Sequence, residues 1–141
     1  MKIGVFDSGL GGLVITKAFI ESMPQYDYLY YGDSRHLPYG EKTSGRILSY
    51  TLAAMRRLIA RDCKIIIIAC NTATSVAAAT LRAEMTLPII GMEPALKPAH
   101  QLRHGGRILV MATPLTLRLP KFEALMARYG EGASPLPCPG L

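Results

Sequence analysis

Apolar and polar positions alternate along this chain in blocks of two kinds. Short runs of β-branched and aromatic residues stop abruptly at glycine or a small polar residue, and longer amphipathic stretches follow them. Lys2 to Phe6 reads as a first strand, and Asp7-Ser8-Gly9-Leu10-Gly11-Gly12 forms a glycine-rich turn into a helix from about Leu13 to Met23. Tyr26 to Tyr31 is a second strand, followed by a polar loop, Gly32 to Gly40. From Glu41 to Asp62, Ile47, Leu48, Leu52, Met55, Leu58 and Ile59 recur at helical spacing. The continuous run Ile65-Ile66-Ile67-Ile68 then reads as a strand buried on both faces, and an alanine-rich helix follows from Asn71 to Met85. Pro88 to Gly91 is a short fourth strand, and a helical stretch from Met92 closes near Arg103 to Gly106. Arg107 to Met111 is a fifth strand, and a further helix runs from about Leu119 to Tyr129. Beyond Gly130 glycine and proline dominate, and neither strand nor helix is expected. Strand and helix in strict alternation imply an α/β fold, a doubly wound and mostly parallel sheet flanked by helices.

Composition narrows the class. Of 141 residues half are hydrophobic, enough for a real core. The three cysteines, Cys63, Cys70 and Cys138, form no CxxC pair and have no histidine cluster nearby, so neither a disulfide framework nor a metal site is indicated. No apolar run has the length of a membrane span or of a signal-peptide core, and a soluble protein of the reducing cytoplasm is expected. The formal charge of +6 favours anionic ligands. Its one local group, Arg56, Arg57, Arg61 and Lys64, has no interleaved aromatic residues, so a solvated helix face is favoured over nucleic-acid binding.

Candidate chemistry lies where strands end. Cys70 follows the isoleucine run and precedes two helix-capping residue types, Asn71 and Thr72. In open α/β sheets ligands bind at the carboxyl ends of the strands, where the first amides of the next helix lower a thiol pKa and attract a carboxylate. A small inert core cysteine is the competing reading, and position alone favours neither. The turn after the first strand fails both common phosphate-binding patterns. The dinucleotide fingerprint needs glycine where Val14 stands, and the P-loop needs Gly-Lys-Ser/Thr where the chain has Thr16-Lys17-Ala18. What remains there is an acid and a hydroxyl, Asp7 and Ser8, with Asp7 acting either at a ligand or as a simple turn cap. The second loop offers Pro38-Tyr39-Gly40, with Tyr39 and the Gly40 amide as donors to a carboxylate. His36 has no partner at ligand spacing and is read as an exposed loop residue. Thr113 and Thr116 are polar positions at a fourth strand end.

Three blocks carry a family resemblance: Gly4-Val5-Phe6-Asp7-Ser8-Gly9-Leu10-Gly11-Gly12, Tyr31-Gly32-Asp33-Ser34 with Pro38-Tyr39-Gly40, and Ala69-Cys70-Asn71-Thr72-Ala73. Together with Pro88-Ile89-Ile90-Gly91 and Glu93-Pro94, the set resembles the N-terminal half of the glutamate racemases, in the cofactor-independent Asp/Glu racemase family. The resemblance implies conversion of L-glutamate to D-glutamate for peptidoglycan, by two cysteines acting on opposite faces of the substrate and without a cofactor. It implies that Cys70 is one catalytic base, that Asp7 assists it, and that Ser8, Pro38, Tyr39, Gly40, Asn71, Thr72, Thr113 and Thr116 line the glutamate pocket. It also implies two lobes, residues 1–91 with one catalytic wall and residues 92–141 as the start of a second.

Departures from the family pattern qualify this. The family's second cysteine, in a Gly-Cys-Thr-His block, lies beyond Leu141, so a truncated form with little turnover of its own is expected. Cys138 resembles a cysteine-proline pair found early in the family's second lobe, away from the chemistry, and the reading as a substitute base is disfavoured. The family's Gly-Thr-x-Gly-Thr segment appears as Ala112-Thr113-Pro114-Leu115-Thr116. A competing function is a non-catalytic binding module, or a homodimer, formed through a hydrophobic face left uncovered.

Overall fold

The computed structural model describes residues 1–139. Four parallel strands form the main sheet: β1 (Lys2–Asp7), β2 (Asp27–Gly32), β3 (Cys63–Ile68) and β4 (Ile89–Gly91), in the order β2-β1-β3-β4. Helix α1 (Gly12–Ser22) covers one face, and α2 (Ser44–Ile59) and α3 (Asn71–Glu84) cover the other. The isoleucine run shows why the sheet must be covered twice. Ile66 and Ile68 join the α2/α3 core with Phe6, Met55, Leu58 and Leu81, while Ile67 joins Ile3 and Val5 beneath Ile15 and Phe19 of α1. A strand apolar at every position is stable only between two apolar layers.

A smaller unit follows. Helix α4 (Leu96–Leu102), β5 (Ile108–Ala112), the single turn α5 (Pro114–Leu117), α6 (Pro120–Tyr129) and β6 (Ala133–Pro137) pack around Leu96, Val110, Phe122 and Leu125. Strands β5 and β6 form a separate parallel pair. The tail expected to be irregular therefore contains a strand. Pro135 and Pro137 hid it, because proline cannot donate to a ladder; β6 tolerates them because, among the described residues, it lies at an edge and pairs on one side only. The fifth strand likewise joins β6 rather than the main sheet. Helix α2 is shorter than expected, because Thr43 caps it by accepting the Arg46 N–H, and Tyr39–Glu41 forms a separate 3-10 turn. Glu93 and Pro94 precede α4 rather than lie within it.

Register aligns the strand ends. Phe6 lies beside Ile68, Asp7 beside Gly32, and Ile68 beside Gly91. From β1 the chain crosses over one face to β2, and from β3 over the other face to β4. The crevice between the ends of β1 and β3 is thus the switch point of the sheet. Replacing Ile66, wholly buried between β1 and β4, should probe this core: Ile66→Ala is expected to lower unfolding free energy by about 2–5 kcal/mol in urea titration, while exposed Lys64→Ala changes it little.

Candidate active site

A cavity of about 310 Å³ opens at that switch point, lined by Asp7, Ser8, Tyr39, Cys70, Asn71 and Thr72 together with Gly11, Ile15, Ala69, Ala112, Thr113 and Thr116. Each residue arrives there through local structure. Asp7 ends β1, and its Oδ2 accepts the Gly9 and Gly12 N–H groups at 3.0 and 3.2 Å, which closes the turn and fixes the start of α1. Asp7 therefore caps the turn, and it also lines the cavity. Gly12 is required by this closeness, since a Cβ there would stand 2.8 Å from the Asp7 Cβ and 3.1 Å from that of Ala69. Tyr30 donates to the Gly9 carbonyl at 2.6 Å and braces the turn from β2. Burial, with Asp7 beside it, pushes its phenol up to about 12.

Cys70 is the N-cap of α3. Its Sγ accepts the Ala73 N–H at 3.3 Å and the Ser8 hydroxyl at 3.2 Å, so β1 and β3 are tied together through the sulfur. The thiol is 8% exposed. Burial raises its pKa above the ordinary thiol value, and the Asp7 charge adds to this; the Ser8 and Ala73 donors pull it down but do not prevail. The helix N-terminus alone suggested a lowered pKa. Its amide does act in that direction, but desolvation is the larger effect and the resting group is a neutral thiol.

Three hydroxyls of the cavity wall form a cluster. Thr72, Thr113 and Thr116, all buried, lie 3.1, 3.2 and 2.9 Å apart by oxygen, and Thr113 Oγ1 also accepts the Thr116 N–H as the cap of α5. Either oxygen of each pair can donate, so the three hydroxyls form one mutually hydrogen-bonded cluster on the cavity wall.

Tyr39 contributes its ring and not its hydroxyl. Buried to 1% exposure, it donates to Asp33 Oδ2 at 2.7 Å, and burial and the Asp33 carboxylate push its phenol up. The expected bond from this hydroxyl to a ligand carboxylate is therefore not available. Pro38 and Gly40 do not line the cavity. They set the turn that carries Tyr39, and Gly40 leaves room for Thr113, whose Cβ would lie 2.7 Å from an added Cβ. Asp33 was missed by sequence reasoning as a side chain of consequence. It also accepts from His36 Nδ1 at 2.8 Å, and the imidazole stacks on Tyr50 at 4.0 Å. The Asp33/His36 spacing, i and i+3 in one polar loop, is the signal that could have found it. Ile15 and Ala112 carry no such signal.

The other cysteines lie outside the cavity. Cys63 starts β3 at the opposite end of the sheet, beside Lys2. Cys138 follows β6, where its N–H bonds the Ala112 carbonyl at 2.9 Å, but its thiol does not line the cavity. Among the described residues no three His, Cys, Asp or Glu side chains converge to hold a metal ion.

The cavity at the sheet switch point thus gathers a buried thiol that caps a helix, an acid that lines the same cavity and several hydroxyls. The model of the Asp/Glu/Hydantoin racemase family matches residues 14–138, and the chain belongs to that family. It is 55% identical to the glutamate racemase of Clostridium perfringens over 99% of its own length and 55% of that protein's, and 49% identical to that of Clostridium botulinum over the same shares. Among solved structures it superposes on the glutamate racemase of Aquifex pyrophilus with a TM-score of 0.88 at 34% identity, covering 99% of this chain and 56% of that one. On the Escherichia coli glutamate racemase bound to L-glutamate and the activator UDP-MurNAc-Ala the TM-score is 0.90 at 31% identity, with 98% and 53% covered. The chain spans about half the length of the curated relatives it matches.

Thiol chemistry tests the electrostatics of the site. Iodoacetamide labelling of Cys70, followed by mass spectrometry, is expected to be slow near pH 7 and to rise only above the ordinary thiol range. Ser8→Ala, which removes a donor to the sulfur, is expected to move that rise to still higher pH. The unfolded chain gives up this proton first, so stability from the neutral thiol is intact below the ordinary thiol pKa and is lost as pH climbs through the folded one.

Proposed function

We propose that this cavity takes glutamate and that Cys70 exchanges the substrate's Cα proton on one face, as one half of a glutamate racemase site. The observation that carries the reading is the bond from Ser8 to a buried Cys70 sulfur, in a switch-point cavity that Asn71 and Thr72 also line. The Asn71 and Thr72 amides, in the first turn of α3, have no intrahelical acceptor and suit a carboxylate, as does the Asn71 side chain. Once ionised, the Cys70 thiolate takes the Cα proton and becomes a thiol. The electron pair left on carbon delocalises into the α-carboxylate, whose growing charge the same donors stabilise. The Ser8 and Ala73 donors favour the thiolate, and Asp7, close enough to oppose that charge, is suited to receive or return the thiol proton. A neutral resting thiol is matched to the return step, in which it hands a proton back to carbon.

Inversion needs a second acid on the other face. Neither Cys63 nor Cys138 lines the cavity, and the relatives this chain matches are nearly twice as long. The reading is therefore of one catalytic wall, with residues 1–91 as a first lobe and 92–141 as the beginning of a second, serving D-glutamate supply for peptidoglycan in the cytoplasm. No helix among the described residues is long and apolar enough to cross a membrane. A second reading, association through an apolar face as a homodimer, draws on Leu109, Met111 and Leu136, which are exposed together on the outer side of β5 and β6.

Proton NMR in D₂O separates the two. Starting from one pure glutamate enantiomer, the first reading expects loss of the Cα proton signal with the optical rotation of the same sample retained, and at least a hundredfold less exchange in Cys70→Ala, about 3 kcal/mol in barrier. Full racemisation by this chain would contradict the single-wall account. No exchange of either enantiomer, with a concentration-dependent dimer in light scattering, would favour the second reading.

A further inference from the structure

A larger cavity, about 460 Å³, lies away from this site, between the last turns of α2 and strand β2. Leu29, Tyr31 and Leu58 wall it, and Arg57 and Arg61 project from the end of α2 and the residues just after it. Arg57 is oriented from within the protein: its Nη1 donates to the Tyr31 hydroxyl, and its guanidinium carbon lies 5.4 Å from the centre of the Tyr31 ring. Among the described residues no carboxylate forms an ion pair with either arginine. The C-terminal dipole of α2 accounts for cations at that end, but not for a cavity beneath them or for a guanidinium held over a ring. Two like charges four residues apart repel one another unless an anion lies between them.

The second observation concerns the backbone. Among the described residues strand β2 ends the sheet, pairs only with β1, and leaves one row of N–H and C=O groups without a strand partner. That row runs beside the cavity, since Leu29, Tyr30 and Tyr31 are consecutive β2 residues. An extended segment added to this edge would satisfy the backbone groups and turn alternate side chains into the cavity. Those side chains would meet Arg57 and Arg61, so the segment that fits carries acids at alternate positions, each carboxylate matched to a guanidinium. A second copy of β2 is a poor occupant, because it would bring two more arginines to the same place.

We propose that the β2 edge and the Arg57–Arg61 cavity form a docking site for an acidic, extended peptide segment, independent of the chemistry at Cys70. Fluorescence anisotropy with a labelled peptide of alternating glutamate and valine tests this on the whole chain. Expected are saturable binding that weakens with salt, a loss of about tenfold for each of Arg57→Glu and Arg61→Glu, and slowed amide hydrogen exchange at residues 28–32 in the complex. Both arginines are exposed, so the variants are expected to keep the circular dichroism spectrum of the parent. No binding, or binding indifferent to both reversals, would overturn the proposal. Binding of inorganic phosphate or of single-stranded oligothymidylate that equals the peptide's, is lost in the same variants and leaves exchange at residues 28–32 unchanged would overturn it in favour of a simple anion or nucleic-acid surface.

Discussion

The site depends on the hydrogen bond from the Ser8 hydroxyl to the Cys70 sulfur. It joins residues 62 apart in sequence, and it exists only because β1 and β3 are neighbours in register, with Phe6 beside Ile68. Adjacent parallel strands whose helices leave over opposite faces necessarily open a crevice at their carboxyl ends. The same adjacency brings Asp7 against the start of α1 and Cys70 against the start of α3. The isoleucine run is thus more than core: its burial between two helical layers fixes the height at which the thiol emerges.

Electrostatics at that point are a contest that desolvation wins. A helix amide and a hydroxyl both favour the thiolate, yet the sulfur is so nearly excluded from water that its proton is retained. A thiol that is neutral at rest, but has two donors already aimed at its sulfur, is poised between acid and base. Such poise would suit the two-way proton transfer proposed for Cys70. The hydroxyl cluster of Thr72, Thr113 and Thr116 joins the small unit to the main sheet's helix α3, since Thr113 and Thr116 belong to the β5 end and α5.

Much of this was legible from residue order. Strand ends announced themselves by glycine or small polar residues after apolar runs, and Asp7, Ser8, Cys70, Asn71, Thr72, Thr113 and Thr116 all meet at one cavity. What escaped was side-chain direction. Tyr39 reaches the cavity with its ring while its hydroxyl turns to Asp33, a choice set by a buried carboxylate that no local pattern reveals. The direction of the Cys70 pKa escaped too, because it depends on burial by distant elements. Strand β6 was hidden by its prolines, which an edge position tolerates.

The proposed glutamate pocket at the Cys70 sulfur is tested most directly by labelling each cysteine with iodoacetamide with and without that ligand. The account predicts that glutamate slows modification of Cys70 in a saturable way and leaves Cys138 unchanged. Equal labelling of Cys70 at saturating glutamate, or protection of Cys138 instead, would contradict it.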